Sequence, residues 1–147
     1  LYECREQYVP LAKEVDQLRN FINISELQIE ARGRVNFTAE NIGGSYRIAP
    51  LILTVFVENA FKHSTASQAE DIFIEVSVAL SEQGVLTFIC KNSYLPQSNT
   101  DSISNGIGLK NVEKRLGLLY PGAHELTIQK TESQYNVRLT LDLNTQV

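Results

Sequence analysis

The sequence predicts an α+β fold, a two-layer α/β sandwich in which helices cover one face of a mixed, largely antiparallel sheet. Its periodic segments follow the order helix, strand, helix, strand, strand, helix, strand, strand, and neighbouring strands without crossovers favour antiparallel pairing. Of the 147 residues, 43% are hydrophobic and 20% are charged, which is ordinary for a globular protein with one core. We therefore expect one domain, preceded by a helical extension.

The first predicted helix covers residues 10–32, which contain no glycine and many helix-forming residues. Its apolar residues repeat at spacings of four, three, four and seven, as in a coiled coil: Leu11, Val15, Leu18, Ile22 and Ile29. Gly33 follows, and glycine commonly ends helices. The pattern is compatible with an amphipathic helix packed on its own domain, but it favours half of a helical hairpin or dimer stem.

Alternating apolar and polar residues predict half-buried strands at residues 34–40 and 72–79. A hairpin turn at residues 81–84 connects the second of these to a strand at residues 85–91. Residues 126–130 and 135–143 are predicted to form a closing hairpin.

Two stretches without periodicity are predicted loops. Residues 64–70 are small and polar, and residues 92–105 combine Pro96 with many serines, asparagines and threonines. A loop as long as the second one inside a compact domain is usually functional or mobile.

The helix predicted after Ala49 combines a broad apolar surface with a polar end. Pro50 is suited to the first position of a helix, where its missing N–H costs nothing. The polar residues near the other end are Glu58, Asn59, Lys62 and His63. Spacings of three and four place the last three on one face, with Glu58 beside them. This pattern indicates either a polar site at the edge of a core or a core helix with a solvated last turn.

A pair of glycines, Gly106 and Gly108, precedes the third predicted helix. Glycines let the backbone approach a ligand closely, and the free N–H groups of a first helical turn bind phosphate. Such a pair also occurs at many ordinary turns, and it is neither the dinucleotide fingerprint nor a P-loop. Its position after the long polar loop strengthens the prediction of a phosphate site.

The motifs of both helices resemble those of sensor histidine kinases. Residues 50–63, Pro-Leu-Ile-Leu-Thr-Val-Phe-Val-Glu-Asn-Ala-Phe-Lys-His, resemble the N-box, and residues 105–120 resemble the glycine-rich G2 box, in the form found in the LytS-type subgroup. Residues 34–147 resemble the ATP-binding catalytic domain of the Bergerat-fold (GHKL) superfamily. Residues 8–33 resemble the end of the helical phosphoacceptor segment, so residues 1–33 are predicted to be the C-terminal part of the dimerisation segment.

The resemblance implies a set of site residues. Asn59 would bind the Mg²⁺ that bridges the nucleotide phosphates, and Glu58 would polarise the attacking group or hold a magnesium-bound water. Lys62 and His63 would lie near the phosphates. The G2 box would form a phosphate-facing turn at the end of an ATP lid at residues 94–105, with the nucleotide-binding residues Gly106, Ile107, Gly108 and Leu109.

Two features depart from the family pattern. The G1 box, Asp-x-Gly-x-Gly, is absent, and Lys-Asn-Ser-Tyr stands in its place at residues 91–94. Asn92 could accept the adenine amino group through its uncharged amide oxygen. The histidines, His63 and His124, both lie outside the N-terminal helix. The acceptor histidine is therefore expected upstream of Leu1.

The resemblance implies the catalytic domain of a two-component sensor kinase that uses ATP and Mg²⁺ to phosphorylate a histidine outside this chain. One alternative is a degenerate module that binds nucleotide weakly or acts only through dimer contacts, which the missing G1 glycines favour. Another is an α+β interaction domain in which both motifs are coincidental. The complete set of polar N-box residues favours the enzyme.

The expected partners are a second copy, bound through the N-terminal helical segment, and a response regulator. The net charge of -4 makes nucleic acid an unsuitable partner. Cys4 and Cys90 match no metal-binding spacing and resemble reduced intracellular thiols. The expected location is therefore cytoplasmic, with any membrane anchor in regions outside this chain.

Overall fold

The computed structural model describes residues 7–67, 70–95 and 107–145. Three α-helices are present in these ranges: α1 (Leu11–Ile29), α2 (Ile52–Ser67) and α3 (Ile107–Leu119). The strands are β1 (Val9–Pro10), β2 (Gly33–Glu40), β3 (Arg47–Ile48), β4 (Ile72–Leu80), β5 (Val85–Ser93), β6 (His124–Lys130) and β7 (Gln134–Asp142). Short 3-10 helices cover Glu30–Arg32 and Leu143–Thr145.

Five strands form the main sheet in the order β2-β4-β5-β7-β6. Strand β2 runs parallel to β4, and the other pairs are antiparallel. Side chains alternate between buried and more exposed along β4, β5 and β7, because one face of the sheet packs against the helices. The predicted α+β sandwich with a mixed, largely antiparallel sheet is confirmed.

Helix α2 lies at the centre of the core, where it contacts β4, β5, α1 and α3. Most of its apolar residues are almost completely buried: Ile52, Leu53, Phe56, Val57, Ala60 and Phe61. The Phe56 ring packs on Phe88 of β5, with ring centres 5.9 Å apart. The wide apolar surface predicted from the sequence is therefore a helix enclosed on several sides.

The apolar seam of α1 is buried within this domain. All five of its residues are less than 4% exposed and belong to the same core as α2: Leu11, Val15, Leu18, Ile22 and Ile29. Our interpretation of this seam as half of an incomplete stem is therefore wrong, since a helix packed on a sheet and a helix packed on a second helix can show the same spacing. The outer face of α1 exposes Ile24 and Leu27 instead.

Gly33 does not end α1, as the sequence predicted. The helix ends at Ile29, next to Glu30 with a left-handed φ of 49°, and Gly33 is the first residue of β2. A Cβ at Gly33 would lie 2.1 Å from the carbonyl oxygen of Ile72, the residue with which it pairs in β4. Glycine is therefore required here by the close approach of two backbones.

The start of α2 also differs from the prediction. The helix begins at Ile52, so Pro50 is not its first residue, and Leu51 adopts a left-handed φ of 66°. The Leu51 N–H donates to Oε2 of Glu14 in α1 (2.6 Å), and the Pro50 carbonyl accepts from Arg115 of α3 (2.7 Å). Contacts with α1 and α3, remote in sequence, therefore determine where this helix begins.

The other helix and strand boundaries differ less from the sequence prediction. Helix α2 continues to Ser67, into a stretch that was predicted to be a loop. The turn between β4 and β5 is confirmed, with Gly84 at a left-handed φ of 81° and a hydrogen bond from the Ser81 N–H to the Val85 carbonyl. The short antiparallel pair of β1 and β3 was not predicted, because two residues are too few to show a period.

No helix among the described residues is long and apolar enough to span a membrane.

Glu14 gives the first testable consequence of this fold, a pH dependence of stability. The residue is 1% exposed, its Oε1 has no hydrogen-bond partner in the described ranges, and burial raises the pKa of its carboxyl, opposed by the Leu51 N–H and the Arg115 charge. The folded state therefore binds this proton more tightly than the unfolded state, whose pKa is about 4.3. Stability from this group is lost as pH rises from that value through the raised pKa.

We expect Glu14→Gln to remove this dependence while its amide oxygen keeps the bond to Leu51. Thermal unfolding of the variant and the wild type between pH 4 and 8 should show the variant gaining relative stability as pH rises. Glu113→Gln, at an exposed site on α3, is the control and should follow the wild type. Parallel wild-type and Glu14→Gln curves over the whole range would contradict this account of the buried carboxyl.

Candidate functional site

The polar residues at the end of α2 lie in two rows rather than on one face. Asn59 and His63 are 7% and 1% exposed, respectively, and point into the domain. Glu58 and Lys62 are largely exposed and form an ion pair with 3.5 Å between Oε1 and Nζ. Consecutive helical residues are rotated by about 100°, so each i, i+4 pair forms a separate row. The sequence prediction that Lys62 shares a face with Asn59 and His63 is therefore wrong.

The outer row borders a groove between α1 and α2. Glu58 and Lys62 form its α2 side, and Phe21, Ser25 and Gln28 lie on its α1 side. The exposed ion pair is screened by solvent and contributes little to stability. Both side chains are accessible from outside the domain.

His63 belongs to a buried aromatic cluster that the sequence did not reveal. Its ring stacks on Tyr135 of β7, with centroids 5.1 Å apart and planes inclined by 17°, and meets the edge of Tyr94 at 6.5 Å. The Tyr94 hydroxyl donates to the carbonyl of Thr131 (3.0 Å), which fixes the ring against the turn between β6 and β7. The histidine is thus held between aromatic rings beneath the helix.

Asn92 of β5 lies next to the end of α2 and is 1% exposed. Its Nδ2 donates to Oγ of Ser64 (3.2 Å) and to the carbonyl of Ser93 (3.0 Å), and the Ser64 hydroxyl donates to the same carbonyl. The other amide atom, Oδ1, is buried and accepts no hydrogen bond from any described residue. A buried acceptor without a donor costs about 1–3 kcal/mol, so this oxygen is a candidate acceptor for a donor from outside the described residues.

The glycine pair lies across the start of α3. Helix α3 begins at Ile107, while Gly106 and most of the predicted lid lie outside the described residues, as does the Ile107 side chain. A Cβ on Gly108 would be 3.8 Å from Cγ1 of Val55, so the first turn of α3 lies beside α2. Leu109 is buried and anchors this turn in the core.

The inner row of α2 therefore connects two features of the site. Val55 lies beside the first turn of α3, Asn59 follows one turn later, and His63 follows after another turn, next to Ser64 and its partner Asn92. The row spans about 12 Å along the helix axis. One end offers the N–H groups of a helix N-terminus, and the other offers aromatic rings and an unused acceptor.

No group of three or more histidine, cysteine, aspartate or glutamate side chains that could hold a metal occurs within the described ranges. Asn59 is the inner-row residue with an oxygen ligand of the kind that Mg²⁺ accepts. Mg²⁺ is commonly held by one or two protein groups together with phosphates and waters. One amide oxygen from the protein therefore fits a Mg²⁺ ion that a nucleotide brings with it.

Comparisons with known proteins place the chain near the sensor kinases. No protein-family model matches the sequence. The chain is 22% identical to the sensor protein LytS of Enterococcus faecalis, over 85% of this chain and 23% of that protein. It is 23% identical to the sensor histidine kinase/phosphatase LytS of Staphylococcus aureus, over 90% of this chain and 25% of that protein. The chain thus spans about a quarter of the length of these curated relatives.

Solved structures with a similar fold include several histidine kinases. The histidine kinase domain of the Erythrobacter litoralis EL346 blue-light activated kinase matches with a TM-score of 0.67 and 13% identity, over 94% of this chain and 63% of that chain. Full-length ShkA in complex with AMPPNP matches with a TM-score of 0.60 and 12% identity, over 91% of this chain and 30% of that chain. The kinase ThkA, in complex with the response regulator protein TrrA, matches with a TM-score of 0.59 and 12% identity, over 92% of this chain and 41% of that chain.

The resemblance predicted from the N-box and G2 box is therefore confirmed by LytS relatives that match most of this chain, and the chain has the fold of histidine kinase catalytic domains.

Proposed function

We propose that this chain is the ATP-binding catalytic domain of a two-component sensor histidine kinase, which transfers the γ-phosphoryl group of ATP to a histidine outside the chain. The observation that carries the proposal is the inner row of α2, which connects the start of α3 to the unused acceptor Oδ1 of Asn92. The kinase fold and the LytS relatives support the same reaction.

The phosphates are assigned to the end of the row near α3. The first-turn N–H groups of α3 lack partners within the helix and favour negative charge, and Gly108 lets the phosphates approach the backbone closely. Asn59, one turn along α2, would provide an oxygen ligand for the Mg²⁺ bound to those phosphates. The ion would neutralise charge that develops on the transferred phosphoryl group.

The base of the nucleotide is assigned to the other end of the inner row, next to Asn92. Oδ1 of Asn92 is an acceptor buried away from water, and adenine carries an amino donor. His63, which the resemblance alone placed near the phosphates, lies beside Tyr94 and Tyr135 and is better placed to contact an aromatic base. Glu58 and Lys62, exposed on the outer row, are accessible to an incoming acceptor segment.

A degenerate module is the alternative, and one observation favours it. Tyr94, which stands in the region of the missing G1 glycines, is 5% exposed and packs against His63. A large ring at this place reduces the room for a base. Nucleotide binding therefore distinguishes the two candidates.

The wider assignments extend this proposal. The partners would be a second copy and a response regulator, and the location would be cytoplasmic. Because the seam of α1 is used within the domain, the dimer contact would involve the outer face with Ile24 and Leu27. ThkA, a structural neighbour, is complexed with a response regulator, which supports that kind of partner.

Phosphoryl transfer tests the proposal. After incubation with γ-labelled ATP and Mg²⁺, this chain alone should remain unlabelled, because its acceptor is expected upstream. A longer chain that includes the upstream segment should gain acid-labile phosphate, and Asn59→Ala in that longer chain should prevent it. Label on His63 or His124 would show that the acceptor is misplaced, and an unlabelled longer chain would favour the degenerate module.

A further inference from the structure

We infer that two charged residues, Glu14 of α1 and Arg115 of α3, hold the peptide bond before Leu51 between them, and that this clamp couples the position of α1 to phosphate binding at the first turn of α3. Both are positioning residues, because they act through the backbone at the start of α2. The inference rests on the proposed function, which assigns the phosphates to the start of α3.

The clamp consists of two short hydrogen bonds to one peptide unit. The Pro50 carbonyl accepts from Nη1 of Arg115 (2.7 Å), and the Leu51 N–H donates to Oε2 of Glu14 (2.6 Å). The carbonyl and the N–H of a planar trans peptide point in opposite directions, so the two side chains approach from opposite sides. The guanidinium lies at the negative end of the peptide dipole and the carboxyl oxygen at its positive end, which strengthens both bonds.

Leu51 adopts a backbone conformation that requires support from its neighbours. Its φ of 66° lies in the left-handed region, which is unfavourable for a residue with a Cβ. The side chain is 44% exposed, so its own burial does not account for this conformation. Backbone strain of this kind persists only where surrounding contacts fix the geometry. The two hydrogen bonds at its peptide therefore hold Leu51 in place.

The clamp is one of two contacts that align α3 with α2. The other lies at the first turn of α3, where a Cβ on Gly108 would be 3.8 Å from Cγ1 of Val55. Gly108 and Arg115 are about 10 Å apart along the axis of α3. Two contacts separated by this distance fix the angle between the helices as well as their separation. Loss of the clamp therefore allows the first turn of α3 to move relative to Asn59.

Glu14 connects the clamp to α1. It lies on the buried face of this helix, between Leu11 and Leu18, which belong to the core. The carboxyl therefore moves only with its helix, and a displacement of α1 acts on the Leu51 N–H and, through the same peptide, on Arg115. Because a coupling free energy between two sites is reciprocal, nucleotide bound at the start of α3 should in turn stabilise the docking of α1.

The first measurement is the dissociation constant of AMPPNP with Mg²⁺, with the melting temperature of each variant recorded without nucleotide. Glu14→Ala and Arg115→Ala should each weaken binding at least about fivefold, the lower end of typical couplings between sites. Charge alone would act differently in the first variant, since removal of an acidic group should not weaken binding of an anionic nucleotide. Glu14→Gln keeps an oxygen acceptor for the Leu51 N–H and should bind as the wild type does.

The double variant distinguishes one shared clamp from two separate effects. Because both side chains hold the same peptide, Glu14→Ala combined with Arg115→Ala should lose little more affinity than the weaker-binding single variant. The matched controls are Glu26→Ala on α1 and Arg138→Ala on β7, which remove the same kinds of charge at exposed positions and should bind as the wild type does.

Leu51→Gly tests the clamp independently, including the case in which an alanine variant does not fold. Glycine adopts a left-handed φ readily, so it needs the clamp less than leucine does. Glu14→Ala combined with Leu51→Gly should therefore fold and bind AMPPNP nearly as tightly as Leu51→Gly alone. A combined variant that is weakened as much as Glu14→Ala is relative to the wild type would overturn the role given to the clamp.

The outcomes separate the inference from the proposed function. If the wild type binds AMPPNP and Glu14→Ala binds it equally well or more tightly, the inference fails while the proposed function stands. The same holds if the losses of the two single variants multiply in the double variant. If the wild type binds no AMPPNP, the proposed function fails, and the coupling assigned to the clamp fails with it.

Discussion

Replacing Asn59 by alanine should abolish most magnesium-dependent nucleotide binding while the domain stays folded. The side chain lies on the inner row of α2, where it would supply the oxygen ligand for Mg²⁺. Loss of even an outer-shell partner costs a metal site about 10- to 100-fold in affinity, so removal of the ligand itself should cost at least that much. The melting temperature without nucleotide should fall by only a few degrees, as for a change of about 1 kcal/mol.

Two readouts distinguish this site role from a purely structural one. Calorimetric titration of Asn59→Ala with AMPPNP and Mg²⁺ gives the affinity, and thermal unfolding without nucleotide gives the stability. Asn20→Ala, at an exposed position on α1 outside both motifs, is the control and should change neither. If Asn59→Ala unfolds the domain but binds nucleotide normally once stabilised, the residue belongs to the scaffold rather than to the site.

Replacing Gly33 by alanine should cause the largest loss of stability among these substitutions. Its Cβ would meet the carbonyl oxygen, carbonyl carbon and Cβ of Ile72 at 2.1, 2.7 and 2.6 Å. Two of these atoms belong to the β4 backbone, so relief requires the parallel pair of β2 and β4 to separate at this end. Overpacking of this kind costs about 1–3 kcal/mol or more, which corresponds to roughly 3–12 °C in melting temperature.

Gly117 of α3 is the matched control for this substitution. A Cβ there would have no neighbour within 4 Å, and alanine is favoured over glycine within a helix by about 1 kcal/mol. Gly117→Ala should therefore raise the melting temperature slightly. A Gly33→Ala variant that melts no lower than the wild type would contradict the close approach of β2 and β4 at this end.

The sequence predicted the main sheet well, because its strands have one buried face and therefore alternate. Where the sequence prediction was wrong, the contact that determines the structure joins residues far apart in the sequence. The start of α2 depends on Glu14 of α1, whose carboxylate accepts a hydrogen bond from the Leu51 N–H. Because Glu14 is remote in sequence, the residues around Leu51 do not show where the helix begins. The seam of α1 shows a genuine apolar period, but a period alone does not identify the surface that covers it.

The candidate site likewise has features that the sequence predicted and features that only the structure shows. The two motifs predicted Asn59 and Gly108 as site residues, since helix polarity and glycine positions are local properties, and the departure from the G1 box drew attention to Asn92. They did not show that Glu58 and Lys62 form a separate outer row, a distinction that depends on how α2 is rotated against the sheet. Tyr94 and Tyr135 meet His63 only because β5 and β7 pair in this register, with Asn92 opposite Tyr135.

The most direct test of the central claim is a titration of the wild-type chain with AMPPNP, with Mg²⁺ and again with a chelator. A catalytic domain should bind one nucleotide per chain, lose most of that affinity when Mg²⁺ is removed, and melt at a higher temperature as nucleotide concentration rises above the dissociation constant. An absence of both heat of binding and thermal shift at millimolar nucleotide with Mg²⁺ would contradict the assignment of an ATP site.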